Sequence, residues 1–327
     1  MKDIENMNFN KTVVLEAFND ETRSRIIEIS DPSLKVSFPM SNDHPDLLDS
    51  LSDAEFVVVR ANKFLPNWFE YAPKLRAIHQ WGTGTDGLPI QEAKNRGIIL
   101  ARSPGVNAPS VADLTIALML SVLRRLCVQH SRIQNGLWME PNLYELGEDL
   151  TGKTVGLIGF GHIAQSVAKR LSGFDCKVVY FRPSGALVAP EIENAEYQSL
   201  ELLLKNSDIV SLHCPLTQNN RNLIDAKAFN MMKDNAVIIN TARGALIDHA
   251  ALLEALQTNK IGGAGLDVFE HEPLAVNDPI RTAPNAVLMP HAAGGTRQNL
   301  ERLVKHWSMN LTRISKGEPI ALSDLVT

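Results

Sequence analysis

Two hydrophobic periods alternate along this chain, and the switches between them mark out its elements. KTVVLEAF (11–18), AEFVVVRA (54–61), LRAIHQ (75–80) and RGIILA (96–101) are runs rich in branched apolar residues, bounded by polar turns as strands are. The stretches between them at 20–29, 44–52 and 88–95 predict helices, so this first region predicts a small parallel α/β sheet. SPGVNAPSVAD (103–113) breaks the rhythm and leads into a long apolar helix over 109–128, with a proline in its opening turn. Residues 129–150 carry no clear period and predict an extended arm, an interface element.

A second alternating unit follows. Its predicted strands are GKTVGLIGF (152–160), CKVVYF (176–181), IVSLHCPL (209–216), AVIINTAR (236–243), GGAGLDVF (262–269) and NAVLMPHAAG (285–294). Helices are predicted at 163–174, 200–208, 226–234 and 249–259. Such alternation predicts a doubly wound parallel sheet, whose ligands bind at the carboxyl ends of its strands. The last helix, 296–317, is long enough to return to the first sheet, so the first domain is expected to combine both ends of the chain.

Composition excludes several classes. A chain of 327 residues suits two domains. A net charge of -5, with no run of Lys or Arg, offers no footprint for nucleic acid. Cys127, Cys176 and Cys214 lie far apart without a CxxC pair, which predicts no disulfide framework, no structural zinc and a reducing, cytoplasmic setting. The opening MKDIENMNFN is polar and acidic, unlike a signal peptide. LTIALMLSVL (114–123) is too short to span a bilayer, so a buried helix and no membrane partner are expected.

Chemistry enters at GLIGFGHIA (156–164). Gly159, Gly161 and Ala164 form G-x-G-x-x-A directly after a strand and at the start of a helix. Gly159 permits the tight turn, Gly161 the approach of a pyrophosphate, and Ala164 close packing of helix on strand. The helix N-terminus, from His162 and Ile163 onward, supplies N–H groups to the phosphates. A turn with only a packing role is the plainer reading, but the strand–turn–helix context favours a dinucleotide. The next strand of such folds usually ends on an acid that holds the adenosine ribose. Here it ends on Arg182, with Ser184 close behind and no acid between Lys177 and Pro190. An acid repels a 2′-phosphate, whereas an arginine pairs with one. NADP is therefore the expected cofactor, with NAD the alternative if Arg182 only faces solvent.

GLIGFGHIA, DIVSLHCPLT, VIINTARGALID, GGAGLDVFEHEPL and MPHAAGGT, with WGTGTD and RGIILARSPGVNAPSVAD upstream, resemble the D-isomer-specific 2-hydroxyacid dehydrogenases over nearly the whole chain. That family includes glyoxylate/hydroxypyruvate, phosphoglycerate and D-lactate enzymes. The resemblance implies a Rossmann-type cofactor domain over 109–295, containing the interdomain helix and the arm. It would be inserted in a smaller flavodoxin-like substrate domain made of 1–108 and 296–327, in a homodimer. The implied reaction is hydride transfer between a nicotinamide and a small 2-oxo acid, with glyoxylate and hydroxypyruvate the leading candidates.

The resemblance also implies roles, residue by residue. Arg243 matches the arginine that grips the substrate carboxylate and the reacting oxygen, a task for a planar, permanently charged fork. His291 matches the general acid/base and Glu272 its acid partner, which favours the protonated imidazole. Asp267 matches a residue beside the nicotinamide amide, and Thr83 one that meets the cofactor from the first domain. The loop 82–84, with Gly84, is expected to offer N–H groups to a carboxylate, and Arg60 either reaches the far end of the substrate or lines the cleft. Cys214, Thr241, Ala242 and Gly294, on turns after the strands, complete the expected cofactor contacts. Glu270 is expected to face solvent and His213 to pack or bond backbone; Asp113 stands where the family generally has Glu. No cluster has metal-ligand spacing, and none is needed where Arg243 polarises the carbonyl. The rivals are a phosphoglycerate dehydrogenase-like enzyme, a formate-oxidising one, against which Glu272 argues, and a non-catalytic NAD(P)-sensing corepressor-like protein.

Overall fold

The computed structural model describes residues 10–186 and 195–326. Residues 1–9 of the polar opening read above and residues 187–190 of the acid-free stretch lie outside them. The chain divides into two compact units, Met1–Asn107 with Gly295–Thr327, and Ala108–Gly294.

The first unit holds a five-stranded parallel sheet ordered β2-β1-β3-β4-β5. Its strands are β1 (Asn10–Val14), β2 (Leu34–Ser37), β3 (Phe56–Val59), β4 (Ala77–Gln80) and β5 (Ile99–Ala101). Every residue of β3 and β4 is buried, as central parallel strands covered on both faces require. Helices α1 (Asp20–Ile29), α2 (His44–Asp49) and α3 (Ile90–Asn95) connect the strands. The Asn19 side chain accepts the Thr22 N–H to start α1. β2 was not predicted: it is an edge strand that buries only Leu34, which leaves little apolar pattern to read.

The far end of the chain supplies α11 (Arg297–Ser315) to this unit. Its stripe of Leu303, Val304, Trp307, Leu311 and Ile314 packs with Val14, Phe56, Val58 and Trp81 in one apolar cluster. Truncating a side chain buried like Trp307 costs about 3–5 kcal/mol. The Arg25–Glu301 pair lies at the surface, where solvent screens it. Burial, not that ion pair, holds the helix. Beyond it, Leu325 bridges Ala101 antiparallel and lengthens the edge at β5.

The second unit is a seven-stranded parallel sheet ordered β12-β11-β10-β9-β6-β7-β8. The strands are β6 (Thr154–Ile158), β7 (Lys177–Phe181), β8 (Ala195–Tyr197), β9 (Ile209–Leu212), β10 (Val237–Asn240), β11 (Gly263–Leu266) and β12 (Ala286–Leu288). Around them run α4 (Ala108–Leu123), α5 (Leu126–Gln134), α6 (Leu143–Leu146), α7 (His162–Leu171), α8 (Leu200–Asn206), α9 (Ala226–Met231) and α10 (His249–Gln257). β6 pairs with β7 on one side and β9 on the other. The winding therefore reverses at β6, and a crevice opens at its carboxyl end. β8 makes a seventh strand where six were expected; three residues long and with no buried position, it gives no period to detect.

The long helix expected over 109–128 is in fact two. Arg125 adopts a left-handed conformation (φ 51°) between α4 and α5, and its guanidinium donates twice to Glu140, at 2.6 and 2.7 Å. The arm is correspondingly not extended throughout, since α5 and α6 fill part of it. It leaves Ile133, Leu137, Trp138 and Tyr144 exposed, Trp138 at 81% and Tyr144 at 89%. Among the described residues no helix is long and apolar enough to cross a membrane.

Candidate active site

The carboxyl edge of the second sheet gathers the polar residues. Gly159 follows β6, Arg182 follows β7, His213 follows β9, Arg243 lies three residues past β10, and His291 three past β12. Glu272 sits on the loop that leaves β11. Parallel pairing forces every one of these turns to the same side of the sheet.

His291 Nδ1 lies 2.7 Å from Glu272 Oε2, and Glu272 Oε1 accepts the Phe269 N–H at 2.9 Å. The hydrogen bond to Glu272 raises the pKa of His291 above the ordinary histidine value, against partial burial, which lowers it. Burial alone pushes Glu272 up, but its bonds from His291 and Phe269 outweigh that and hold the carboxyl below its usual range. The charge on Arg243 reaches both partners, lowering each. Arg243 is half-buried, and its Nη1 donates to the Ala242 carbonyl at 2.7 Å. The arrangement offers an imidazole biased toward its protonated form and a cationic fork on one sheet edge. Among the described residues no group of His, Cys and acids could hold a metal.

His291 itself is left-handed (φ 53°), a conformation that histidine visits more readily than most but still at a cost. Asp267 holds the turn in place. Its carbonyl accepts the His291 N–H at 2.7 Å, and its carboxylate oxygens accept those of Ala292 and Ala293 at 2.7 and 2.9 Å. Fully buried, Asp267 has its pKa raised by burial against the pull of those two bonds. The sequence placed this residue beside the nicotinamide amide; in the structure both its oxygens are engaged by backbone. Gly294, half-buried, ends the same turn.

The turn between β6 and α7 fits a dinucleotide phosphate. Gly159 has φ 91°, and a Cβ there would stand 2.6 Å from the Cys214 nitrogen, so only glycine lets the turn close on the His213–Cys214 backbone. Gly161 is the opposite case: a Cβ would meet nothing within 4 Å, which leaves open space directly before α7. No side chain caps α7, His162 at its first position is exposed, and Ile163 is half-buried. Ala164 is fully buried against the sheet. Beyond β7, Arg182 Nε donates to Ser184 Oγ at 2.6 Å, and a turn closes from Gly185 N–H to the Arg182 carbonyl at 3.1 Å. Burial pushes the Cys214 thiol up to about 11, so it stays a thiol. Thr241 Oγ1 meets Thr115 Oγ1 of α4 at 3.1 Å.

The remaining residues are engaged elsewhere. Glu270 is exposed and pairs with Arg221. His213 Nε2 meets Ser211 Oγ at 2.9 Å, a side-chain rather than a backbone partner, and burial lowers its pKa to about 3. Asp113 pairs with Arg170 at 2.6 Å. Thr83, Gly84 and Arg60 belong to the first unit. Thr83 Oγ1 donates to the Ser103 carbonyl at 3.2 Å, and Gly84 is half-buried. Arg60 is held by Glu16 and lies 5.6 Å over the Phe18 ring. One residue at the site had drawn no notice in the sequence: Asn240, which ends β10 and bonds the backbone on both sides of the turn to Arg243. Its signal was there to find, because an Asn at a strand end commonly bonds its own backbone two residues on.

A family model described as D-isomer specific 2-hydroxyacid dehydrogenase, NAD binding domain, matches residues 116–293. The glyoxylate reductase of Thermococcus litoralis is 40% identical over 278 residues, covering 83% of this chain and 84% of that protein. The hydroxypyruvate reductase of Thermotoga maritima is 39% identical over 278 residues, covering 82% and 88%. The D-lactate dehydrogenase of Escherichia coli, a solved structure, has a TM-score of 0.85 at 28% identity, covering 97% of this chain and 100% of that one. Similarity of this extent, across both units, leads to one conclusion: the chain belongs to the D-isomer specific 2-hydroxyacid dehydrogenase family and is an NAD(P)-dependent oxidoreductase of 2-oxo and 2-hydroxy acids.

Proposed function

We propose that this enzyme reduces glyoxylate and hydroxypyruvate, with NADPH preferred over NADH. The observation that carries the chemistry is the 2.7 Å hydrogen bond between His291 and Glu272 on the sheet edge that also presents Arg243. Arg243 takes the substrate carboxylate and turns the carbonyl oxygen toward the imidazole; a guanidinium fork fixes orientation as well as charge. Nδ1 of His291 is committed to Glu272, so Nε2 is the nitrogen that gives the proton to that oxygen. When bound, the reduced nicotinamide supplies the hydride that the carbonyl carbon receives. Gly159, Gly161, His162 and Ile163 would hold its pyrophosphate, with Cys214, Thr241, Ala242, Asp267 and Gly294 around the rest. Thr83 and Gly84 are the proposed substrate contacts from the first unit.

Support for NADPH is local: Arg182 directly follows β7 with Ser184 hydrogen-bonded to it, where an acid would repel a 2′-phosphate. One charge-assisted hydrogen bond contributes about 1.5–3 kcal/mol, roughly tenfold or more in cofactor preference. We also assign the exposed apolar residues of the arm to a homodimer contact, and the three free cysteines fit a reducing cytoplasm. The test is kcat/KM for a panel of 2-oxo acids with NADPH and NADH separately, for the parent and Arg182→Asp. Turnover of both named acids is expected, with the variant losing NADPH selectively. A parent that prefers NADH, with Arg182→Asp changing neither value, removes the cofactor assignment.

A further inference from the structure

We infer that Asn240 is the positioning residue for Arg243, locking the turn that aims its guanidinium. This rests on the reading of Arg243 as the group that grips the 2-oxo acid. Asn240 is the last residue of β10 and is almost completely buried. Its Oδ1 accepts the Ala242 N–H at 3.0 Å, and its Nδ2 donates to the Arg243 carbonyl at 2.9 Å. One side chain thus spans the turn, an acceptor for the peptide entering Ala242 and a donor for the one leaving Arg243. Aspartate keeps the acceptor and loses the donor; serine is too short to reach both. Asn240 also ties this turn to its neighbour, because its own carbonyl accepts the Asp267 N–H at 2.9 Å, and Asp267 holds the His291 turn.

A second joint fixes Arg243 relative to Glu272. A Cβ on Gly244 would stand 1.9 Å from the Phe269 carbonyl carbon, so the backbone after Arg243 rests directly on the Phe269–Glu270 peptide. That segment donates the Phe269 N–H to Glu272. With the backbone held at the Arg243 carbonyl and at Gly244, the Cα–Cβ bond of Arg243 leaves the chain in a fixed direction, from which its guanidinium starts. Small displacements of such a group are costly, on the order of 100-fold in rate per ångström.

The experiment compares Asn240→Asp and Arg243→Lys with the parent, using glyoxylate at saturating cofactor, and measures cofactor Kd separately by titration without substrate. For Asn240→Asp, kcat/KM for glyoxylate is expected to fall on the order of 100-fold, through both terms, while cofactor Kd stays within threefold. Lowering the pH should return part of the loss, because the protonated carboxyl again donates to the Arg243 carbonyl. Glu272, His291 and Asp267 titrate in both proteins, so the variant-to-parent ratio is the quantity to plot. A ratio that is flat with pH, or a loss that lies in cofactor Kd, overturns the assignment. Should Asn240→Asp fail to fold, Asn240→Ser serves: loss in kcat/KM with intact cofactor Kd supports the role, and parental values overturn it. If Arg243→Lys stays within threefold of the parent, the reading of Arg243 falls and this inference with it. A crippled Arg243→Lys beside a parental Asn240→Asp sinks only the positioning role.

Discussion

A histidine that must give up a proton needs a neighbour that keeps it charged until the substrate arrives. In the proposed mechanism Glu272 does this for His291: its hydrogen bond raises the imidazole pKa, so the protonated form persists to higher pH. With His291 as the proposed proton donor, reduction is expected below the raised value and is lost as pH rises through it. Glu272→Gln removes the charge, and the descending limb of the kcat/KM profile is expected to move to lower pH. A profile superimposable on the parent's would show that Glu272 is not the partner. The same pair bears on folding: the raised His291 value contributes stability at low pH that fades as pH rises through it, and the lowered Glu272 value does the reverse. The letters around Arg243, Glu272 and His291 carry the family resemblance, and the family is what the sequence made legible there. The bonds of Asp267 were not legible, because their partners are backbone N–H groups, which nearly every residue has, whereas Asn240 at a strand end carried a signal that went unread.

Turns after the strands do unequal work, and two glycines separate the kinds. At Gly244 an added methyl meets backbone, with no flexible side chain to yield. Gly244→Ala is expected to cost about 1–3 kcal/mol or more, lowering Tm by several degrees along with turnover. At Gly161 the same methyl meets nothing of the protein. Gly161→Ala should keep its Tm and lose cofactor affinity by about tenfold or more, because the methyl occupies the space proposed for the phosphate. An unchanged Kd would mean the pyrophosphate lies elsewhere. Strands and helices with buried faces were readable from their period, and α1 begins and ends where the sequence placed it. The edges were not. β2 and β8 together bury one residue, so their pairing is set by the neighbouring strand rather than by their own composition. The break between α4 and α5 depends on Glu140, fifteen residues past Arg125, and has no Gly or Pro to announce it.

At the scale of the molecule, the last long helix groups with the first stretch of the chain in one unit. The grouping has a cost in contact distance: Ala101 and Leu325, neighbours in space, are 224 positions apart. Such contacts form late in any folding reaction, since the loop they close is long. The chain is also made in one direction. A ribosome delivers all of 108–294 before it delivers α11, so the second unit has its full set of strands while the first still lacks the cover for Val14, Phe56, Val58 and Trp81. Nascent chains halted at residue 294 should therefore be cut by protease within 10–107 and be spared within 108–294; the reverse pattern would show that the first sheet closes without Trp307. During synthesis the earliest residues to emerge are the last to be sheltered, and that interval is when a chaperone has most reason to hold them.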